Sequence, residues 1–134
     1  MTTPSRLYVA AVFVTVLSVA ACAPVQVHNV VDAPVVIYTD SVTLGEVRDA
    51  VIRAGASLGW IMVEEEAGLV RGTLKLRSHV AIVDVAFDTS EYSIDYVDST
   101  NLDYSEANGT IHMNYNRWIE NLDKAIRREL AALV

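Results

Sequence analysis

Two groups of residues in this chain have types and spacing that chemistry could use. The first is Cys22, the only cysteine among 134 residues. It ends an apolar run from Leu7 to Ala21 and directly follows Val19-Ala20-Ala21: an aliphatic residue, two small residues, then a thiol. A lone thiol so placed is the chain's single soft nucleophile, a point where a covalent attachment could be made. The second group lies late in the chain and is polar and aromatic: Arg77, His79, Tyr96, Asn101, Tyr104, His112, Asn114, Tyr115, Asn116 and Trp118. Arg77 would supply a forked donor for a carboxylate or phosphate, and the tyrosines a flat contact surface. Within this group Arg77, His79, Tyr96, Asn101, His112 and Tyr115 are the candidate ligand- or partner-binding residues. The competing reading is structural. In it Asn114 or Asn116 caps a helix, while Tyr115 and Trp118 anchor that helix on a sheet.

The segment before Cys22 has the parts of a secretory leader. Arg6 and the amino terminus are positive, Leu7 to Ala20 is apolar, and small residues precede the cut. The apolar stretch is 14 residues long, shorter than the roughly 20 a membrane-spanning helix needs. Pro24 also opposes continued helix. The Val19-Ala20-Ala21-Cys22 box resembles the lipidation site of bacterial lipoproteins. That resemblance implies cleavage before Cys22 and several acyl chains, such as palmitate, on the mature amino end. One chain alone anchors only marginally, because each buried methylene contributes about 0.8 kcal/mol. Ala23 after the cysteine implies the outer membrane, at its periplasmic face, if the source is Gram-negative.

Recognised catalytic signatures are absent from the sequence: no phosphate loop, dinucleotide fingerprint, His-Glu-x-x-His or nucleophile elbow. His28, His79 and His112 lack metal-ligand spacing, and Glu64-Glu65-Glu66 lacks the spacing of a calcium loop. The expectation is therefore no catalytic residue, no metal and no cofactor. Loss of residues 1–21 leaves 113 residues, one domain in size. Arg6 departs with the leader, so nine cations face 17 carboxylates and the mature charge is −8. Such a surface disfavours nucleic acid and anionic headgroups as partners. With its one thiol consumed, the domain has no disulfide and stands on its core alone.

Residues 22–34, with two prolines and no helical period, read as a lipidated tether, and residues 35–134 as the domain. Val35-Val36-Ile37-Tyr38 suits a short edge strand. Thr43-Leu44-Gly45-Glu46 is a capping box, opening a helix with the stripe Leu44, Val47, Val51, Ala54 and Leu58 and ending at Gly55 and Gly59. Four strands follow: Trp60 to Glu64, Leu69 to Arg77, Val80 to Asp88 and Tyr92 to Ser99. In the second and third, Val70, Gly72, Leu74 and Leu76, then Ala81, Val83, Val85 and Phe87, take the inner face; Ile94 and Tyr96 do so in the fourth. The outer face sets Arg71, Lys75 and Arg77 opposite Asp84, Asp88 and Asp95, and opposite-charge pairs across strands contribute a few tenths of a kcal/mol each. Asn108-Gly109 closes a tight turn before a short strand. A last helix runs from Tyr115 to Leu133 on the stripe Tyr115, Trp118/Ile119, Leu122, Ile126, Leu130 and Leu133, with a Glu120–Lys124 pair. The fold class is α+β: a two-layer sandwich in which an antiparallel meander of about four strands carries two helices on one face, in the order β-α-β-β-β-β-α.

Five blocks carry a wider resemblance: Gly59-Trp60, Arg77-Ser78-His79, Tyr92-Ser93-Ile94-Asp95-Tyr96, Asp98-Ser99-Thr100-Asn101-Leu102 and Ile111-His112-Met113-Asn114-Tyr115-Asn116-Arg117-Trp118-Ile119. With the leader, they make the chain similar to a family of small bacterial lipoproteins. The resemblance implies an envelope address and a domain, and confers no activity. The first expectation is a non-enzymatic binding or scaffold module, anchored through its acyl chains and meeting an envelope protein partner. The alternative is a sensor of a small polar or anionic ligand at the Arg77/His79 end of the sheet. An enzyme is the third, and would require His79 or His112 to cluster with an acid in an open pocket. Mass spectrometry of the membrane-extracted protein is expected to find a mature amino-terminal peptide beginning at Cys22 with acyl mass added. A free thiol on that peptide, or an intact Met1 end, would remove the anchor from the account.

Overall fold

The alternation between Leu69 and Ser99 becomes the middle of an antiparallel sheet in the computed structural model, which describes residues 23–134. Cys22 and the leader lie outside the described residues. The elements in order are β1 (Val25–Gln26), β2 (Val30–Pro34), α1 (Leu44–Ser57), β3 (Ile61–Glu66), β4 (Leu69–Leu76), β5 (His79–Phe87), β6 (Glu91–Thr100), β7 (Thr110–Ile111) and α2 (Met113–Ala131). Five strands form one antiparallel sheet in the order β2-β6-β5-β4-β3, and β1 pairs with β7 apart from it. The architecture is the expected α+β sandwich, with a fifth strand and a small extra ribbon.

Period-two patterning decides which face of the sheet is covered. Val70 and Leu74 of β4, Ala81, Val83, Val85 and Phe87 of β5, and Tyr92 and Ile94 of β6 are buried in one cluster. That cluster also holds Val47, Ala50, Val51 and Ala54 from α1, and Tyr115, Ile119, Leu122, Ala125, Ile126 and Leu130 from α2. Both helices therefore lie on the same face. On the opposite face Arg71 and Asp84 stand directly across from each other and form a two-pronged ion pair, Nε–Oδ1 2.8 Å and Nη2–Oδ2 2.9 Å. The fork of charged hydrogen bonds to Asp84 raises the Arg71 pKa above its ordinary value. Asp88 makes no such pair; its Oδ1 accepts from the Ser90 and Glu91 amides, which lowers its pKa.

Helix α1 begins as its sequence directs. Thr43 Oγ1 accepts from the Glu46 amide, and the Glu46 carboxylate accepts from the Thr43 amide at 2.8 Å. These bonds hold the Glu46 carboxyl below the usual range. Gly55 does not end the helix. It lies inside it and is buried because Met62 of β3 fills the space beside it: a Cβ there would stand 2.3 Å from Met62 Sδ. The end comes at Gly59, whose φ of +86° suits glycine. The Trp60 amide bonds to Gly55 O at 3.0 Å and the Gly59 amide to Ala56 O at 3.1 Å, a Schellman closure that buries Trp60.

Four expectations are corrected. Residues 23–34 are not a tether: Val25 and Gln26 pair with Ile111 and Thr110, and Val30, Ala33 and Pro34 pair with Ile94, Tyr92 and Glu91 at the sheet edge. Asn116 reinforces this, accepting from the His28 amide (2.9 Å) and donating to the Gln26 carbonyl (2.8 Å). Val35–Tyr38 forms no strand; the Val35 amide bonds to Ser90 O and Tyr38 is 81% exposed. Helix α2 starts at Met113 and its cap is His112, whose Nδ1 accepts from the Asn114 amide, so neither asparagine caps it. Its i,i+4 ion pair is Asp123–Arg127 at 3.0 Å rather than Glu120–Lys124.

Two buried tyrosines differ in a way that can be measured. Tyr92 donates to Asp123 Oδ1 on α2, whereas the Tyr115 hydroxyl is buried with no partner. Burial raises both phenols above their ordinary value, and Asp123 adds to the rise at Tyr92. Tyr115→Phe is expected to be neutral or to gain about 1 kcal/mol in denaturant unfolding, because it removes a buried unsatisfied group. Tyr92→Phe is expected to lose about 1–2 kcal/mol. Above pH ~10 the unfolded chain ionises these phenols and the folded chain resists. Their stabilisation is whole below that pH and falls as pH climbs towards the raised folded values. The double Phe variant should therefore lose less stability between pH 9 and 11 than the parent; an equal loss would place the ionising groups elsewhere.

Candidate functional site

Strands β4 and β5 are joined by only two residues, since Leu76 pairs with His79. Arg77, the first of the two, has φ +56°. Glycine is the residue that adopts such a conformation without cost, and holding a long side chain there stores strain of order 1–3 kcal/mol. Arg77 is therefore not on the sheet face, as its alternation suggested, but at the tip of a hairpin. The residue behind it is fixed from a third segment. The Asn101 carbonyl accepts a hydrogen bond from His79 Nδ1 at 2.8 Å, and Asn101 Nδ2 donates to Ser78 O at 2.8 Å. A carbonyl can only accept, so Nδ1 carries the hydrogen in this bond.

Facing this hairpin is the first part of α2. Asn114, Arg117, Trp118 and Asn121 have the spacing i, i+3, i+4, i+7, which is one helix face. Together with Leu76, Arg77 and His79 they line an open cleft of about 420 Å³, within the 300–1,000 Å³ range typical of small-molecule sites. Its charge is cationic. Arg48, Arg53, Arg71 and Arg127 are each paired with a carboxylate. Arg77 and Arg117 have no such partner within 4.0 Å among the described residues. The first turn of α2 carries no acidic side chain, so nothing on the helix offsets the positive end of its dipole.

The sequence candidates divide. Arg77 and His79 share the cleft. Asn101 stands behind it and holds the His79 ring. His112 is used as the helix cap. Tyr96 stacks on Tyr104 with centroids 4.3 Å apart, meets Tyr115 edge-on at 5.5 Å and shares a hydrogen bond with Ser99 Oγ. Burial raises the Tyr96 pKa. Tyr115 is fully buried and cannot touch a ligand, so its part is in the core. Arg117 and Asn121 were not among the candidates. Their signal was present: a polar and aromatic stripe at i, i+3, i+4 and i+7 beside the apolar one. A depression of about 320 Å³ near the other end of β5 is lined by Asp32, Asp88 and Glu91, with no cation. Among the described residues, no three His, Cys, Asp or Glu side chains are grouped to hold a metal ion.

No protein-family model matches the chain, and no curated protein or solved structure is significantly similar to it. The cleft must therefore be judged on its own chemistry. It offers two forked cations, an oriented imidazole, two side-chain amides and an indole, and no nucleophile paired with a base. That set offers charge, hydrogen bonds and a flat aromatic face to whatever enters the cleft.

Arg77→Ala and Arg117→Ala are expected to leave thermal stability within about 0.5 kcal/mol, since neither side chain has a partner to lose. His79→Ala should cost about 1 kcal/mol and raise hydrogen exchange in residues 100–103, because it removes one of the two bonds that tie that loop to the hairpin. If the arginine variants proved the more damaging, those side chains would be structural.

Proposed function

We propose that this protein is a lipid-anchored module of the bacterial envelope that captures a small anion, a carboxylate or a phosphate, in the cleft between the β4–β5 hairpin and α2. The observation that carries the reading is the meeting of two unmatched arginines in one cleft. Among the described residues three arginines, Arg77, Arg117 and Arg128, have no carboxylate within 4.0 Å in a chain with 17 carboxylates, and Arg77 and Arg117 line the same cleft. Planar guanidinium forks are suited to carboxylate and phosphate oxygens. The strain at Arg77 supports the reading, because a hairpin built for stability alone would favour glycine at that position. Trp118, Asn114 and Asn121 would grip the uncharged part of the ligand.

The anchor belongs to the same proposal and rests on the Cys22 box. Among the described residues, no helix is long and apolar enough to cross a membrane. Only Ala23 and Pro24 lie between Cys22 and β1, so an acylated Cys22 would hold the domain close to the bilayer.

The test is a thermal-shift titration of the full chain with inorganic phosphate and with acetate. A ligand at one hundred times its Kd adds about 2.7 kcal/mol of stability. Such a gain is expected with at least one of the two anions and should be lost in the Arg77→Ala/Arg117→Ala double variant. Stabilisation that persists undiminished in that variant would defeat the proposal, as would none with either anion.

A further inference from the structure

The anion cleft does not stop at Trp118. On the far side of that indole is a second depression of about 80 Å³, lined by Leu58, Trp60, Leu74, Trp118 and Asn121. Trp118 and Asn121 are walls of both spaces, so the two adjoin along one face of α2. The character changes across the indole. The first space is bordered by Arg77, His79 and Arg117; four of the five residues of the second are apolar. The second is built by the Schellman turn that ends α1, which buries Trp60 to 4% and leaves Leu58 39% exposed. Leu76, on the rim of the first space, is 49% exposed. A single ligand lying across Trp118 would cover both leucines.

We infer that the ligand of this site is an anion bearing a short branched alkyl group, with its charge at Arg77 and Arg117 and its alkyl end in the pit formed by Leu58, Trp60 and Leu74. This deepens the anion reading above and rests on it. Size selects the apolar group. An enclosed apolar cavity of about 150 Å³ accepts benzene. The pit, open on one side, is roughly half that and offers room for an isopropyl or isobutyl end. Two polar amides, Asn114 and Asn121, flank the indole and suit a polar link between the two ends.

The experiment uses the full chain in lipid nanodiscs with its two tryptophans, Trp60 and Trp118, labelled with ¹⁵N. Their indole N–H signals are told apart with a Trp118→Phe sample. Trp118 lines both spaces and Trp60 only the pit, so the two signals report the two halves of the site. Acetate is expected to move the Trp118 signal alone. 4-Methylpentanoate should move both and bind at least tenfold more tightly than acetate, since each methylene buried is worth about fourfold. 4-Methylpentan-1-ol, which lacks the charge, should move neither at the same concentrations. Leu58→Asn, an uncharged change at an exposed position, should erase the tenfold advantage and leave acetate affinity as it was. The inference is overturned if the branched acid binds no better than acetate, if Trp60 stays silent, or if the advantage survives Leu58→Asn. If neither acid moves Trp118, the anion site itself is absent and the inference falls with it.

Discussion

The rotation of α2 about its own axis is the constraint on which the rest of the structure depends. Tyr115, Ile119, Leu122, Ile126 and Leu130 form one stripe, and all are buried against the sheet and α1. A helix turns about 100° per residue, so once that stripe is seated every other side chain has a fixed bearing. Asn116 falls on the flank towards β1, where its amide clamps the Gln26 and His28 backbone. Asn114, Arg117, Trp118 and Asn121 fall on the opposite flank, towards the β4–β5 hairpin. A slip of one residue would bury a polar side chain, open the clamp and swing Arg117 out of the cleft. Burying several such apolar side chains at about 1.5–3 kcal/mol each makes that slip prohibitive. The cleft needs no stabilising device of its own on this side, because the core already holds its wall.

This dependence explains which features were legible in the sequence. Strands β4, β5 and β6 were, because one buried and one exposed face impose an alternation that no other element produces. The start of α1 was, because Thr43 and Glu46 satisfy free amides locally and need no distant partner. Residues 23–34 misled because their order comes from tertiary pairing. Strand β1 has two residues and β2 has five, with a register shift between Val30 and Ala33 and Asp32 at φ +48°. Neither alternates, and Pro34 fits only because β2 is an edge. The α2 cap misled for another reason. Asparagine is the usual cap and imidazole an uncommon one, and the competition was decided by β1, which needed Asn116 elsewhere.

The site was half legible on the same terms. Arg77 and His79 stood out as chemistry-bearing residues beside a turn, and they do share the cleft. Tyr115 stood out equally and is core, because an aromatic residue at helix spacing is read the same way whether it faces a sheet or a solvent cleft. Arg117 and Asn121 were missed because charged and polar residues on a helix ordinarily face water, and only the proximity of the hairpin makes them converge. Net charge misleads in a similar way. A total of −8 for residues 22–134 describes the average surface, yet ion pairing consumes four arginines on carboxylates and leaves two others gathered at one place. A small ligand experiences that local field, at a range of roughly the Debye length of about 8 Å, more than the distant total.

The same clamp that fixes β1 bears on how the domain would meet a membrane. An extended residue spans at most about 3.5 Å, so the three steps from Cys22 to Val25 reach roughly 10 Å. Were residues 23–34 a free tether, the domain could drift several times farther and take any orientation. With β1 paired to β7 and Asn116 holding the Gln26 carbonyl and His28 amide, an acylated Cys22 would keep the amino-terminal end of α2 near the headgroups. The cleft opens on the other flank of that same end. The acidic bulk of the domain, including Glu64-Glu65-Glu66 at the β3–β4 hairpin, would be repelled by an anionic surface and reinforce the orientation. Were Cys22 acylated, so short an attachment would make the anchor a positional device, setting the height of Arg77 and Arg117 above the membrane.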